Sequence, residues 1–428
     1  GRGGGAGGGR TLRDVMDHAY LTADLPGSGG VIRKTPEDFE VTEIPLYEAC
    51  GEGEFLFLLV RKRGMGTFEA VRRIADSLQV PEREIGYAGL KDARAVTTQW
   101  LSVPGSCEER ARALDLRGIT VVAARRHGNK LRIGHLRGNR FSIVVRGAAP
   151  GGADRAAAIL DVLLRRGAPN YFGEQRFGSR GASHLYGESI LRRDYETFLK
   201  RFLGGPMGGE HDPRILASRT AFDEGRLEEA YEKMPMNRRS EKKCLHALLR
   251  FRDAERACMA IPKRMRQMYV SSFQSALFNQ ALERRLEGLD RLEDGDLAFV
   301  HRSYRFFPVA NASAEQSRCA AFEISPSGPI FGIRTPLPGG APGAMETALL
   351  KEAGLDLSHF EAHGGLRFDG QRRALRIPIK EAVLTPESPH AFRVDFVLPS
   401  GSFATAILRE IVKAPVEPEP PEAPANSG

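Results

Sequence analysis

YAGLKDARAVTTQW, Tyr87 to Trp100, sets a short polar loop between two strand-like runs, Gly86-Tyr87 and Ala95 to Val103. Asp92 sits in that loop, with Lys91 before it and Arg94 two residues on. Nearby positive charge favours the ionised form of a carboxylate. Such a group suits a base or a nucleophile. An arbitrary acid between two cations is more often a salt-bridged loop tip, so the loop alone leaves both readings open.

Six further segments carry distinctive wording: PEDFEVTE (Pro36 to Glu43), GNRF (Gly138 to Phe141), NYFGEQRFG (Asn170 to Gly178), SALFNQ (Ser275 to Gln280), DGD (Asp294 to Asp296) and LPSGSFATAILRE (Leu398 to Glu410). With the Asp92 loop, and in the same order along the chain, they resemble the TruD family of tRNA pseudouridine synthases. The resemblance spans Val31 to Val412. Nine-residue NYFGEQRFG is far more specific than a lone glycine pattern. In that family the Asp of the Lys-Asp pair is catalytic, which implies that role for Asp92.

The 428 residues suggest two or three domains, and a 41% hydrophobic fraction allows sizeable cores. No apolar run approaches the roughly 18 residues that a membrane span needs. The N-terminal Gly-rich stretch lacks the apolar core of a signal peptide, so a cytoplasmic location is expected. Cys50, Cys107, Cys244, Cys258 and Cys319 are odd in number and never form a CxxC pair, which indicates neither a disulfide framework nor a cysteine zinc site. Net charge is +8 and the pI is near 9.3. From Leu116 to Gly152 there is no acid, while Arg117, Arg125, Arg126, Lys130, Arg132, Arg137, Arg140 and Arg146 accumulate. Their alternation with Leu131, Ile133, Ile143 and Val145 predicts paired strands with an apolar side inward and a basic side outward. A basic sheet surface suits phosphate contacts, with Arg126, Lys130 and Arg132 as RNA-backbone candidates. Such a block is also often just a solvated face.

Along the first half, Phe39 to Ile44 and Phe55 to Arg61 read as strands, and Thr67 as the N-cap of a helix carrying Phe68, Val71, Ile74 and Leu78. Asp154 to Arg166 reads as a helix stopped by Gly167. Leu185 to Leu203, Glu224 to Met234 and Lys263 to Leu286 read as helices, and the Met265, Met268, Tyr269, Phe273 and Leu277 stripe as core. Gly204 to Gly209 and Pro326 to Gly343 read as loops. Arg393 to Leu398 is a strand, Ser402 caps a helix through Ile411, and the tail from Pro415 has nothing to bury.

The resemblance implies an α+β fold: a mixed, mainly antiparallel sheet catalytic domain of the pseudouridine-synthase type, with an inserted family-specific α/β domain. Mapped onto this chain, the leader covers residues 1–30, the catalytic domain 31–166 and 376–413, the insertion 167–375 and the tail 414–428. The implied reaction breaks the N1 to C1′ bond of uridine and rejoins the base through C5. No cofactor is needed, and no Rossmann or P-loop fingerprint or metal cluster is evident. The implied partner is tRNA, the usual bacterial site is D-arm position 13, and a monomer is expected, with no membrane and no metal.

Asp92 would act either as a nucleophile at C1′ or as a base at C2′. A flipped uridine needs a flat support, for which Phe141 is the candidate, although its parity with Ile143 and Val145 equally describes core. Asn139 offers an amide to orient Asp92 or pair with the uracil edge. Arg33 matches the family's basic position better than Lys34, and Lys91 neighbours the aspartate. Arg176 is read as an RNA contact and Glu174 as structural, while Phe403 lines the uracil pocket or staples the last helix. The other readings are a non-catalytic RNA-binding or RNA-folding protein, and a carboxylate-pair hydrolase with no second motif-linked acid.

Overall fold

Period-two apolar alternation builds an eight-stranded sheet in the computed structural model, which describes residues 18–178, 180–205, 210 and 212–414. The Gly-rich stretch through residue 17, residues 206–209 of the expected glycine loop and the tail from Pro415 lie outside the described residues. The described residues divide into two compact units, one formed by Tyr20–Ala168 with residues 377–414, the other by residues 18–19 with Pro169–Arg376. Helices and mixed, mostly antiparallel sheets make the fold α+β.

In the first unit the strands are β1 (Phe39–Pro45), β2 (Phe55–Arg63), β3 (Gly86–Tyr87), β4 (Val96–Pro104), β5 (Ile119–His127), β6 (Leu136–Arg146), β7 (Lys380–Ser388) and β8 (Ala391–Pro399). They run in the order β7-β8-β6-β1-β4-β2-β5, with β3 on β4. Only β1 and β4 pair in parallel; every other ladder is antiparallel. Side chains at alternate positions share a face, so Phe141, Ile143 and Val145 of β6 join Val394 and Phe396 of β8. Against them lie helices α2 (Gly152–Arg166), through Ile159, Leu160 and Leu163, and α3 (Ala404–Val412), through Ile407, Leu408 and Ile411. Helix α1 (Thr67–Leu78) buries Val71, Ile74 and Leu78 on Leu56, Leu58 and Val60 of β2.

Several sequence expectations change here. Strands β5 and β6 do not pair with one another: β5 is an edge strand on β2, and β6 lies between β1 and β8. Lys130, Leu131, Arg132 and Ile133 belong to the connection between them, where Ile133 is exposed. Apolar alternation across that connection therefore marks no strand. The N-cap of α1 is Gly66, not Thr67, and that of α3 is Phe403, not Ser402.

The second unit packs helices around Lys263–Arg284, whose Tyr269, Val270, Phe273 and Leu277 are buried. The helix expected over Leu185 to Leu203 is two, Ser183–Leu191 and Tyr195–Leu203, because Asp194 accepts the Thr197 N–H at 3.0 Å and starts the second. The loop expected from Pro326 begins inside a buried strand, Ile324–Ile330, and the helix Gly340–Glu352 starts before its end.

Gly138 opens the GNRF segment inside β6. A Cβ there would sit 2.3 Å from the Leu398 carbonyl oxygen of β8, so the two strands approach this closely only because position 138 carries no side chain. Gly138→Ala is expected to cost about 1–3 kcal/mol of stability by overpacking, read as a lowered denaturation midpoint at unchanged slope.

Candidate active site

The loop between β3 and β4 carries Lys91 and Asp92 in opposite directions. The Asp92 side chain is 43% exposed, whereas that of Lys91 is 5% exposed and its ammonium lies 2.8 Å from Glu43 Oε2, on a side chain that is itself 1% exposed. Glu43, on β1, also accepts the Trp100 N–H of β4 at 3.3 Å. Burial pushes the Glu43 carboxyl above its ordinary pKa, and the Lys91 charge opposes that shift. The loop backbone is tied down as well: Thr67 Oγ1 accepts the Lys91 N–H at 2.8 Å and donates to Gln99 Oε1 at 3.0 Å, and Gln99 Nε2 donates to the Gly89 carbonyl at 3.4 Å. Thr67 is thus spent on the loop, which is why it does not cap its own helix.

The cation that meets Asp92 is Arg33, not Lys91. Arg33 Nη2 donates to Asp92 Oδ2 at 2.6 Å from a side chain 5% exposed, and its guanidinium carbon lies 4.1 Å from the centroid of the Phe39 ring. Arg33 holds φ at 58°, in the left-handed region that costs a side-chain-bearing residue about 1–2 kcal/mol. Lys34, its neighbour, is exposed. Behind Phe39 stands Phe141, edge-on to it at 6.2 Å and stacked on Phe396 at 5.4 Å. Phe141 is 7% exposed, so in this conformation its ring presents little surface to a base. Asn139 lies opposite Glu43 across the β1–β6 ladder, and its Oδ1 is buried with no hydrogen-bond partner among the described residues. Phe403 is 48% exposed at the start of α3.

The remaining sequence candidates differ in what their side chains meet. Arg126 gives its donors to Glu108 Oε2 at 2.6 Å and to the Gly53 and Gly105 carbonyls, both at 3.1 Å. Lys130 donates to the Arg83 carbonyl, and Arg132 is exposed. In the second unit Arg176 donates to Ser275 Oγ at 3.0 Å and to Ser271 Oγ, while Glu174 is exposed. The NYFGEQRFG segment is wired onto SALFNQ: Asn279 accepts the Phe172 N–H at 2.9 Å and donates to the Phe172 carbonyl at 3.0 Å.

Glu43, Lys62, Thr67 and Gln99 join the site without having been expected there from the sequence. Lys62 has a legible signal, since it continues the buried row Leu56, Leu58, Val60 of β2 with a charge. Its side chain is buried and its Nζ donates to the Met65 carbonyl at 2.6 Å. Burial lowers its pKa from 10.5 to about 8, Lys91 adds to the lowering, and Asp92 and Glu69 oppose it. Among the described residues no three His, Cys, Asp or Glu side chains gather as a metal site.

The buried ammonium makes stability depend on pH. Between pH 8 and 10.5 the unfolded chain holds a proton on Lys62 that the folded chain has released, so wild-type stability rises with pH through that window relative to Lys62→Met. Parallel denaturant titrations of both proteins check the sign. Phe141→Ala should lose about 3–5 kcal/mol, the ordinary cost of emptying a packed aromatic site, measured by the same titration at neutral pH.

Residues 15–411 match the family model for tRNA pseudouridine synthase D (TruD). The tRNA pseudouridine synthase D of Geotalea daltonii is 45% identical over 398 residues, 93% of this chain and 100% of that protein. The protein of the same name from Geobacter sulfurreducens is 46% identical over 404 residues, 94% of this chain and 98% of its own length. The crystal structure of TruD from Methanosarcina mazei superimposes with a TM-score of 0.82 at 28% identity, covering 94% of this chain and 97% of that one. Matched nearly end to end in both sequence and fold, the chain belongs to the TruD family of tRNA pseudouridine synthases.

Proposed function

We propose that this chain isomerises uridine to pseudouridine at position 13 of the tRNA D arm, with Asp92 as the essential carboxylate and no cofactor. The observation that supports it best is the pairing of a half-exposed carboxylate with a nearly buried guanidinium at 2.6 Å, in a loop whose neighbouring cation is turned inward to Glu43. A fixed, accessible carboxylate is what either route requires. As a nucleophile it would attack C1′ and release the uracil from N1; as a base it would take a proton from C2′ and expel the same uracil. In both the base turns and C5 bonds to C1′: in the first route the Asp92 ester bond breaks as that bond forms, in the second the proton held by Asp92 returns to C2′. The C5 proton then leaves to solvent and N1 takes one up, so atoms balance without a co-reactant.

On this reading the unit holding Asp92 is the catalytic domain, and the segment Pro169–Arg376 is the family-specific insertion. Arg33 holds the carboxylate by a charge-assisted hydrogen bond, and Asn139, with its free buried oxygen, orients the uracil edge or the carboxylate. Phe141 supports Arg33 from behind through Phe39 in place of the stacking platform expected from the sequence. Phe403 borders the uracil. Arg132 meets the RNA backbone; Arg126, Lys130 and Arg176 would have to exchange their present partners to do so. The enzyme acts as a monomer in the cytoplasm.

Mapping of pseudouridine in tRNA treated with the purified protein tests the assignment: a new D-arm signal is expected, and its absence from all tRNA positions would sink it. Asp92→Asn keeps the size and polarity of the side chain but not its charge. It should abolish tritium release from 5-labelled uridine while tRNA affinity stays within about threefold, under 1 kcal/mol.

A further inference from the structure

In the second unit, strands Leu297–Val300 and Arg305–Pro308 form a hairpin at the end of the four-stranded sheet, with the second strand on its edge. Ala298 and Phe307 face a small core with Leu292, Val309, Cys319 and Ile324. Alternation then turns Phe299 and its cross-strand partner Phe306 to the opposite face, where Phe299 meets Tyr304 edge-on at 6.0 Å and His301 at 5.5 Å. Tyr304 is 59% and Phe306 41% exposed, and Arg302, Ser303 and Arg305 between and beside them are exposed too. Folding does not account for rings left in water at a hairpin tip. It accounts still less for Tyr304, whose φ of 57° is one that glycine or asparagine adopts far more readily.

The charge around these rings is positive. The neighbouring acids Glu315 and Glu323 are both held by Arg318, at 2.6 and 3.3 Å, with the Arg318 guanidinium 5.6 Å from the Phe307 ring. Arg302 and Arg305 are therefore the uncompensated charges of the hairpin among the described residues. Exposed rings between arginines match a polyanion whose bases offer flat faces: rings stack on any base, and guanidinium groups pair with phosphate.

We propose that the hairpin from His301 to Phe307 is a docking surface for unpaired nucleotides of the tRNA substrate, with Tyr304 and Phe306 stacking on bases and Arg302 and Arg305 meeting phosphates. The proposal rests on the reading of this chain as a tRNA-modifying enzyme. It adds an RNA-binding element outside the Asp92 loop, in the other compact unit of the chain.

The full-length chain and its variants should be titrated with tRNA at several salt concentrations, beside thermal melts and pseudouridine assays. Tyr304→Gly is expected to melt at or above the wild type, because it removes a left-handed tyrosine, yet to weaken tRNA binding about tenfold. Tyr304→Trp should restore binding. Arg302→Gln with Arg305→Gln should shallow the log–log salt slope by about 0.7 to 0.9 for each phosphate that is no longer neutralised. Wild-type affinity and slope in a folded Tyr304→Gly, Arg302→Gln, Arg305→Gln protein that still modifies tRNA would overturn the docking surface and leave the reaction standing. Loss of tRNA affinity in these variants of a protein that forms no pseudouridine would support the surface and overturn the reaction.

Discussion

The ion pair between Lys91 and Glu43 fixes the geometry from which the rest of the site follows. Two opposite charges with side chains 5% and 1% exposed must stay together, because breaking a buried pair by removing one partner typically costs about 3–5 kcal/mol. Pairing with Glu43 draws Lys91 under the loop and leaves Asp92 outside, where Arg33 reaches it. The sheet sets the pair in turn. β1 and β4 are its one parallel ladder, and that ladder carries Glu43 to the Trp100 N–H, within reach of the loop that enters β4. Glu43 therefore binds the strand and the loop at once, and Thr67 and Gln99 finish the restraint through the loop backbone.

Local signals in the sequence recovered local structure. The loop around Asp92, the strand from Phe39 and the helix from Thr67 to Leu78 were legible because their turn chemistry and apolar periods lie within a dozen residues. What joins distant segments was not. Arg33 meets Asp92 across 59 positions, and β8 pairs with β6 across some 250, with nothing in either stretch to name its partner. Only the family resemblance linked the two ends. Polar side chains misled where tertiary bonds claimed them: a threonine before an apolar helix reads as a cap, but this one serves the loop.

Ile324–Ile330 shows a different limit. ISPSGPI holds two prolines and a glycine, the marks of a loop, yet every residue in it is buried in a strand. The ladder explains the tolerance. Residues 324 to 326 pair with Leu297–Val300 and residues 327 to 330 with Gln371–Ala374, and Pro326 takes part on the second edge only through its carbonyl, which accepts the Leu375 N–H at 2.9 Å, so a proline can sit where no N–H is required. Gly328 admits Leu375 and Phe278, whose atoms would lie 2.7 and 3.1 Å from a Cβ there.

Local costs gather around the Asp92 loop and are sparse in the larger cores of the same unit. Arg33 is in a strained backbone conformation, Lys62 is a buried ammonium with its pKa near 8, and Asn139 buries an oxygen that nothing described satisfies. Each works against folding; the unpaired amide oxygen alone costs about 1–3 kcal/mol. Selection for stability alone would have replaced a lysine in line with Leu56, Leu58 and Val60 by another apolar residue. Strain persists where surrounding structure over-determines it, and such positions cluster at functional sites. Arg33 bonds Asp92, Lys62 feels its charge and Asn139 lies opposite the Glu43 that holds Lys91, so three independent costs around one loop are a physical argument for the chemistry proposed there, and it stands apart from the wording of the sequence around the loop.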